Sequence, residues 1–342
     1  MLNEKVLFVL ADAENLYGTE RALLGLIENL DNANVYSFFG EVNSQIRLVS
    51  NSYTFRAKRD FFSIVFCLFK MILKFRSRRE EGIVSLNYYI TLILICTKII
   101  HKKKVISWEH AEHDYPKKIV RLLKRFFFRL LDSIVVVNER DRLYWSVVTN
   151  VKVSLIENVV FLGEEIKALK KDNNSFDVIY CGRVSFEKGI SFIEPILDEL
   201  NRILDKEINF VFVGGVKEFK EFNKIKVICK GYVNNPIDYI INSKVMINPS
   251  IRESYGLSVH QSLMLGNHVV CWDSTSSAET INNAYSDQVS IIRSYDIHEF
   301  ALSIRQFLSE NNTILNCEEV KSQNAMKIKN ILIQWEAISG SL

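Results

Sequence analysis

The chain has 342 residues, 48% of them apolar, with only four prolines; that is core enough for two domains of ordinary size, and it excludes a disordered polypeptide. Its six cysteines, Cys67, Cys96, Cys181, Cys229, Cys271 and Cys317, form no C-x-x-C and no paired histidine spacing, which excludes a disulfide frame and a zinc site and fits reduced thiols in a cytoplasmic protein. The net charge of +3 is unevenly spread: residues 51–150 hold 20 Lys or Arg against 9 Asp or Glu, whereas 1–50 (3 against 7) and 151–342 (20 against 24) are acidic.

The opening MLNEKVLFVLADAEN turns acidic after six apolar residues, too short a run for a signal-peptide core, so secretion is not expected. Residues 6–10, 35–39, 83–86, 105–107, 134–137 and 153–156 are short apolar runs, most of them separated by helix-period segments. This is the pattern of a parallel sheet wrapped by helices. Around 167–175 the periodicity lapses into charged and Asn-rich residues, and the alternation restarts at 178–181, followed by 210–213, 227–229, 245–247 and 269–272. The chain therefore reads as α/β with two doubly wound domains, 1–168 and 169–325, and a C-terminal helix over 326–342 that packs back toward the first. Each domain offers a ligand crevice at the carboxyl ends of its strands.

Two basic segments fall in the first domain. From Phe61 to Arg79, Lys70, Lys74 and Arg78 recur at helical spacing beside Phe61, Phe62, Phe66 and Phe69. From Lys117 to Leu131, Lys117, Arg121, Arg125 and Arg129 form one cationic stripe, with Ile119, Leu122, Leu123 and Phe126 to Phe128 on other faces. Helices of this kind lie in the headgroup layer of an anionic membrane; the alternative is an ordinary sheet-covering helix with a basic solvent face. Neither segment has the ~20 apolar residues needed to span a bilayer. A nucleic-acid partner is not expected, since no binding motif or aromatic strand platform accompanies the basic faces.

The second domain carries most of the chemistry. Its first strand runs into CGRVSFEKGI, where Arg183 and Lys188 stand five residues apart just beyond a strand end. A forked guanidinium and a point-charge ammonium suit a diphosphate, and no D-x-D metal signature is present to do that task. Further on, INPSIRESYGLSVHQSLMLG at 247–266 gives an apolar strand ending at Asn248, a loop with Glu253, and an amphipathic helix entered through Gly256 and Leu257. The free N–H groups of that helix start suit a phosphate. Glu253 is placed to bond a sugar hydroxyl, and Gln261, roughly one and a half turns along, can reach a ribose diol. Taken singly, each has an ordinary alternative as a solvated residue at a helix start or a surface amide.

G-R-x4-K-G at Gly182 to Gly189, N-P-S-x2-E-S-Y-G-L-S-x2-Q at Asn248 to Gln261 and G-N-H-V-V at Gly266 to Val270 together resemble the retaining glycosyltransferases of family 4. That family has the GT-B fold, two Rossmann-like domains facing each other across a cleft. Its motif holds two glutamates separated by seven residues, and Glu253 and Gln261 stand at that separation. The resemblance implies that Arg183 and Lys188 bind the donor diphosphate and stabilise the leaving charge without a metal or other cofactor. It implies that Glu253 contacts the donor sugar and that Gln261 takes the ribose hydroxyls which the family gives to glutamate. Glu279, in DSTSSAETI, matches a further family glutamate, although Thr275 and Ser276 replace a glycine pair there. In the first domain YGTER at 17–21 resembles the family's G-G-A-E-R turn, which assigns Gly18 to the donor phosphate or acceptor. His110 in W-E-H-A-E-H matches a histidine near the donor sugar, with His113 as the competing assignment, and Asn158 resembles the Asn where the family's chain leaves its first domain.

The implied activity is retaining transfer of a hexose-type sugar from a nucleotide diphosphate sugar to a glycan acceptor, lipid-linked by expectation, in bacterial O-antigen, capsule or lipopolysaccharide assembly. The implied location is the cytoplasmic face of the plasma membrane. Alternative readings are a non-catalytic GT-B scaffold, raised by Gln261, and a sugar-nucleotide epimerase of the same fold.

Overall fold

A computed structural model describes residues 6–31, 33–58, 60–77, 82–115, 117–162, 176–233, 235–310 and 317–340. The chain divides into two compact units, one formed by Met1–Val159 with Lys327–Leu342 and the other by Val160–Met326. The expected boundary at 168/169 and the stretch around it lie outside the described residues.

In the first unit the strands are β1 (Val6–Leu10), β2 (Ala33–Ser37), β3 (Ser50–Thr54), β4 (Gly82–Ser85), β5 (Lys104–Glu109), β6 (Ser133–Val136) and β7 (Lys152–Leu155). They form one sheet in the order β3-β2-β1-β4-β5-β6-β7, parallel throughout. The connecting helices are α1 (Gly18–Ile27), α2 (Ser44–Val49), α3 (Phe61–Ser77), α4 (Tyr88–His101), α5 (Lys118–Phe127) and α6 (Glu139–Val148). Buried apolar runs make the central strands: every residue of β1, β4 and β6 is buried. The sequence reading missed β3, because SNSYT is polar and lies half-exposed at the sheet edge, where an apolar run is not required. Asparagine caps recur at the starts of α4 and α6, where Asn87 and Asn138 accept from the N–H groups of Tyr89 and Asp141.

The second unit repeats the plan with β8 (Phe176–Cys181), β9 (Ile208–Val213), β10 (Ile225–Gly231), β11 (Ser243–Asn248), β12 (His268–Trp272) and β13 (Val289–Ile292). Their order is β10-β9-β8-β11-β12-β13, again all parallel. The helices are α7 (Ile190–Ile203), α8 (Ile237–Ile241), α9 (Leu257–Met264), α10 (Ala278–Ala284) and α11 (Ile297–Ser309), with α12 (Cys317–Gly340) after them. α7 and α11 share one face of the core, burying Ile193, Leu197 and Leu200 beside Phe300 and Ile304. The edge strand β13, VSII, was also missed. The two sheets are the doubly wound pattern read from sequence.

The last part of α12 belongs to the first unit. Trp335 is buried there, with its ring 4.8 Å from Trp108 and 6.4 Å from Phe8, and Lys327 pairs with Glu157 at 2.5 Å. Trp335→Ala is expected to lower unfolding stability by about 3–5 kcal/mol in urea titrations, the cost of an unfilled aromatic site.

Candidate functional site

In a doubly wound sheet the crevice opens where neighbouring strands send their connections to opposite faces. In the second unit that point lies between β8 and β11. The loops leaving these two strands are 182–189 and 249–256, the segments that carry Arg183, Lys188 and Glu253.

The two loops are joined main chain to main chain. The carbonyl of Glu187 accepts from the N–H groups of Ile251 (2.9 Å) and Arg252 (3.2 Å). Gly189 has left-handed backbone (φ +67°), and a Cβ there would lie 1.7 Å from the Pro249 carbonyl oxygen, so only glycine fits on both counts. That carbonyl is itself held by Trp272 Nε1 at 3.0 Å. Side chains complete the join: Lys188 Nζ donates to Glu253 Oε2 at 2.5 Å, with both groups largely buried. The Glu253 carbonyl accepts from Ser277 N (3.1 Å), tying in the loop after β12.

Tyr180, inside β8, sets the start of the first loop. Its Oη donates to the Arg183 carbonyl at 2.9 Å, and burial pushes its pKa above the ordinary tyrosine value, so it stays a phenol and a donor. Arg183 is exposed. Gly256 enters α9 with φ +79°, a conformation that again calls for glycine, and Leu257 follows as the first helical residue. At the end of β11 Asn248 is buried; its Oδ1 accepts from Ser250 Oγ (2.6 Å), and its Nδ2 has no protein partner among the described residues. Together these make a cationic, donor-rich edge on the carboxyl side of the sheet.

Gln261 is buried, and its Nε2 donates to the Phe161 carbonyl at 2.7 Å. A carboxylate has no hydrogen to give that carbonyl, which gives the altered signature a local reason: the amide clamps the chain as it enters the second unit. Asn324 Nδ2 holds the adjacent Val160 carbonyl at 3.3 Å. Glu279 falls on α10, its side chain outside the described residues.

The remaining predicted residues lie in the first unit. Gly18 opens α1 with ordinary backbone and open space where a Cβ would sit, and Tyr17 before it is simply extended (φ −84°, ψ −167°). His110 follows β5, its ring 4.5 Å from Trp108 and its Nε2 buried with no partner among the described residues. Burial pushes its pKa down to about 3, so the ring is neutral. His113 has a different setting: Nδ1 lies 2.6 Å from Asp141 Oδ1 and the ring stacks on Tyr144 at 3.9 Å. Asn158 is buried at the end of the unit's first stretch.

Sequence reasoning missed Tyr180 and the Glu187 carbonyl. A tyrosine two residues before Gly182 was the available signal for the first; a main-chain acceptor leaves none.

Two outcomes follow from this geometry. Gly189→Ala will lower unfolding stability by about 1–3 kcal/mol, because the loops cannot join around a Cβ; urea titration reads the change, and wild-type stability would contradict the join. His110 makes stability pH-dependent. Its folded pKa lies below the ordinary value of 6.5, so stability is full above that value. As pH falls toward 3 the unfolded chain takes the proton more readily, at up to about 1.4 kcal/mol per pH unit. His101, also pushed down by burial, acts in the same direction. Urea titrations across this range will show a shallower fall for His110→Gln.

Residues 163–326, nearly the whole second unit, match the family described as Glycosyl transferases group 1. A capsular polysaccharide biosynthesis glycosyltransferase, CapH, of Staphylococcus aureus is 31% identical over an alignment of 144 positions that covers 36% of this chain and 39% of that protein. Among solved structures, Anabaena Alr3699/HepE in complex with UDP and glucose superposes with a TM-score of 0.77 at 11% identity, covering 99% of this chain and all of that one. The lipopolysaccharide outer core galactosyltransferase WaaB, in its apo form, superposes with a TM-score of 0.67 at 13% identity over 99% of this chain and 100% of that one. The second unit thus carries the match to glycosyl transferases group 1, within a fold that is GT-B over nearly the whole chain.

Proposed function

We propose that the chain is a retaining, metal-independent glycosyltransferase that moves a hexose-type sugar from a nucleotide diphosphate sugar to a hydroxyl of a lipid-linked glycan acceptor, in assembly of a bacterial surface polysaccharide. The observation that carries this reading is the joined pair of loops at the β8/β11 crevice, which holds Lys188 and Glu253 together beside Arg183. In the reaction the bond from the anomeric carbon to the diphosphate oxygen breaks, and the bond to the acceptor oxygen forms on the same face. The acceptor proton passes to the leaving phosphate oxygen, so no side-chain nucleophile is required. Arg183 and Lys188 neutralise the charge that develops on the diphosphate, a task for fixed cations. The α9 start at Gly256 and Leu257 supplies N–H groups for phosphate, and Glu253 accepts from a sugar hydroxyl. His110, uncharged, serves as a hydrogen-bonding group toward the donor sugar, not as a cation.

The acceptor reading rests on the first unit's surface. Phe62, Phe66, Phe69 and Leu73 on α3 fall at i, i+4, i+7 and i+11 and are all exposed, while Cys67, Met71 and Phe75 on the same helix are buried. A helix apolar on two faces, with Lys70 beside the outer one, fits the headgroup layer of an anionic membrane. No helix among the described residues is long and apolar enough to cross a membrane. The protein is accordingly placed by this proposal at the cytoplasmic face, peripherally.

Donor consumption is expected to require a lipid-linked acceptor fraction, to survive a chelator, and to fall roughly 10²–10³-fold in Arg183→Ala. Turnover to an isomeric sugar nucleotide without acceptor would favour an epimerase, and no donor binding at all would favour a scaffold.

A further inference from the structure

Helix α5 is turned opposite to what its sequence suggests. A sheet-covering amphipathic helix buries its apolar stripe, yet Ile119, Leu122 and Phe126 are 61%, 61% and 68% exposed, and Leu130 just beyond is exposed as well. Within α5 itself the buried residue is a lysine: Lys124 is 1% exposed. Its ammonium donates to Glu109 Oε2 at 2.5 Å, and Glu109 Oε1 accepts from Ser107 Oγ at 2.5 Å. Aromatic rings enclose the same nitrogen, with Phe128, Trp145 and Tyr88 centroids at 5.0, 5.2 and 5.8 Å.

We infer that this caged Lys124–Glu109 pair is an orientation lock that keeps the apolar stripe of α5 outward as an insertion face for an anionic bilayer. The inference rests on the membrane reading above and gives it a specific face and a cause. Rotating α5 to bury Ile119, Leu122 and Phe126 would strip Lys124 of its partner and its rings and leave Glu109 buried without its cation. A broken buried pair is far more costly than an intact one. The lock therefore sets the rotation, and the hydrophobic effect that would favour the reverse is left for a surface outside the chain. The occupant is a bilayer and not an apolar protein face because exposed Lys118, Arg125 and Arg129 fall beside the stripe at helical spacing. Cations flanking an apolar insertion face complement acidic headgroups. α3, with its own exposed phenylalanines, packs with α5 against α4, so both faces belong to one helical layer.

The test is co-sedimentation of the full chain with phosphatidylcholine vesicles with and without phosphatidylglycerol. Wild type will partition to the acidic vesicles, and Leu122→Glu with Phe126→Glu will weaken this by at least about tenfold, the loss of two inserted apolar side chains. The lock itself is read from Lys124→Met combined with Glu109→Leu, which removes both charges at similar volume and so avoids an unpaired buried ion. This double variant will keep a cooperative thermal transition and lose vesicle affinity to a similar degree, while Glu109→Lys with Lys124→Glu, which restores a pair in reverse, recovers it. A folded Lys124→Met/Glu109→Leu protein that binds vesicles as wild type does overturns the lock and leaves the membrane reading intact. Wild type that ignores acidic vesicles overturns the membrane reading, and a wild-type dimer made monomeric by Phe126→Glu would assign the face to a second copy instead.

Discussion

The close approach of Gly189 to Pro249 is the constraint on which the arrangement of the second unit's crevice loops depends. Two loops leave adjacent strands at the point where a doubly wound sheet changes direction, and they would diverge if nothing held them. A left-handed glycine lets one main chain meet the other, the Glu187 carbonyl takes two N–H groups from the far loop, and Trp272 fixes the carbonyl that the glycine touches. Lys188 and Glu253 then meet because their backbones already have. A hydrogen bond between partly buried charges is a modest source of stability but a strong positional restraint, and here it presets a cation and a carboxylate beside each other before any ligand arrives.

The first unit meets a different physical problem at the end of β5. Successive side chains point to opposite faces of a strand, so Trp108 and His110 go one way and Ser107 and Glu109 the other. On one side Trp108 packs with Trp335 from the end of α12, and the His110 imidazole is kept neutral by burial. On the other side Glu109 receives the ammonium of Lys124. A single strand end thus joins an uncharged histidine, its Nε2 buried, to a buried ion pair that the proposed lock makes responsible for how α5 faces outward. Charge burial, normally a liability, here fixes which of two faces a helix shows.

Most of the fold was legible because parallel sheets bury both faces of their strands, and apolar runs such as 6–10 and 269–272 announce themselves. β3 was not, since its polar SNSYT lies half-exposed at a sheet edge that needs no such run. The crevice residues were legible as a spacing, Arg183 and Lys188 then Glu253 and Gly256, but not as an arrangement: nothing in the sequence says that Glu187 offers its carbonyl to Ile251 and Arg252. The motif says nothing of the hydrogen bond that the Gln261 amide gives to the Phe161 carbonyl, a contact across 100 residues of sequence that no local pattern encodes. The rotation of α5 was left open by the sequence for a related reason. Periodicity identifies an apolar stripe, yet which stripe turns inward depends on a partner, Glu109, fifteen residues away.

Calorimetric titration of uridine and guanosine diphosphate sugars into wild type and into Lys188→Ala tests whether the joined loops hold a donor diphosphate. A pre-joined cationic crevice predicts micromolar-range binding of one donor class by wild type and a loss of about tenfold or more in Lys188→Ala, the scale of one charge-assisted hydrogen bond. Equal affinity in the two proteins, or no binding of either donor class by wild type, would contradict it.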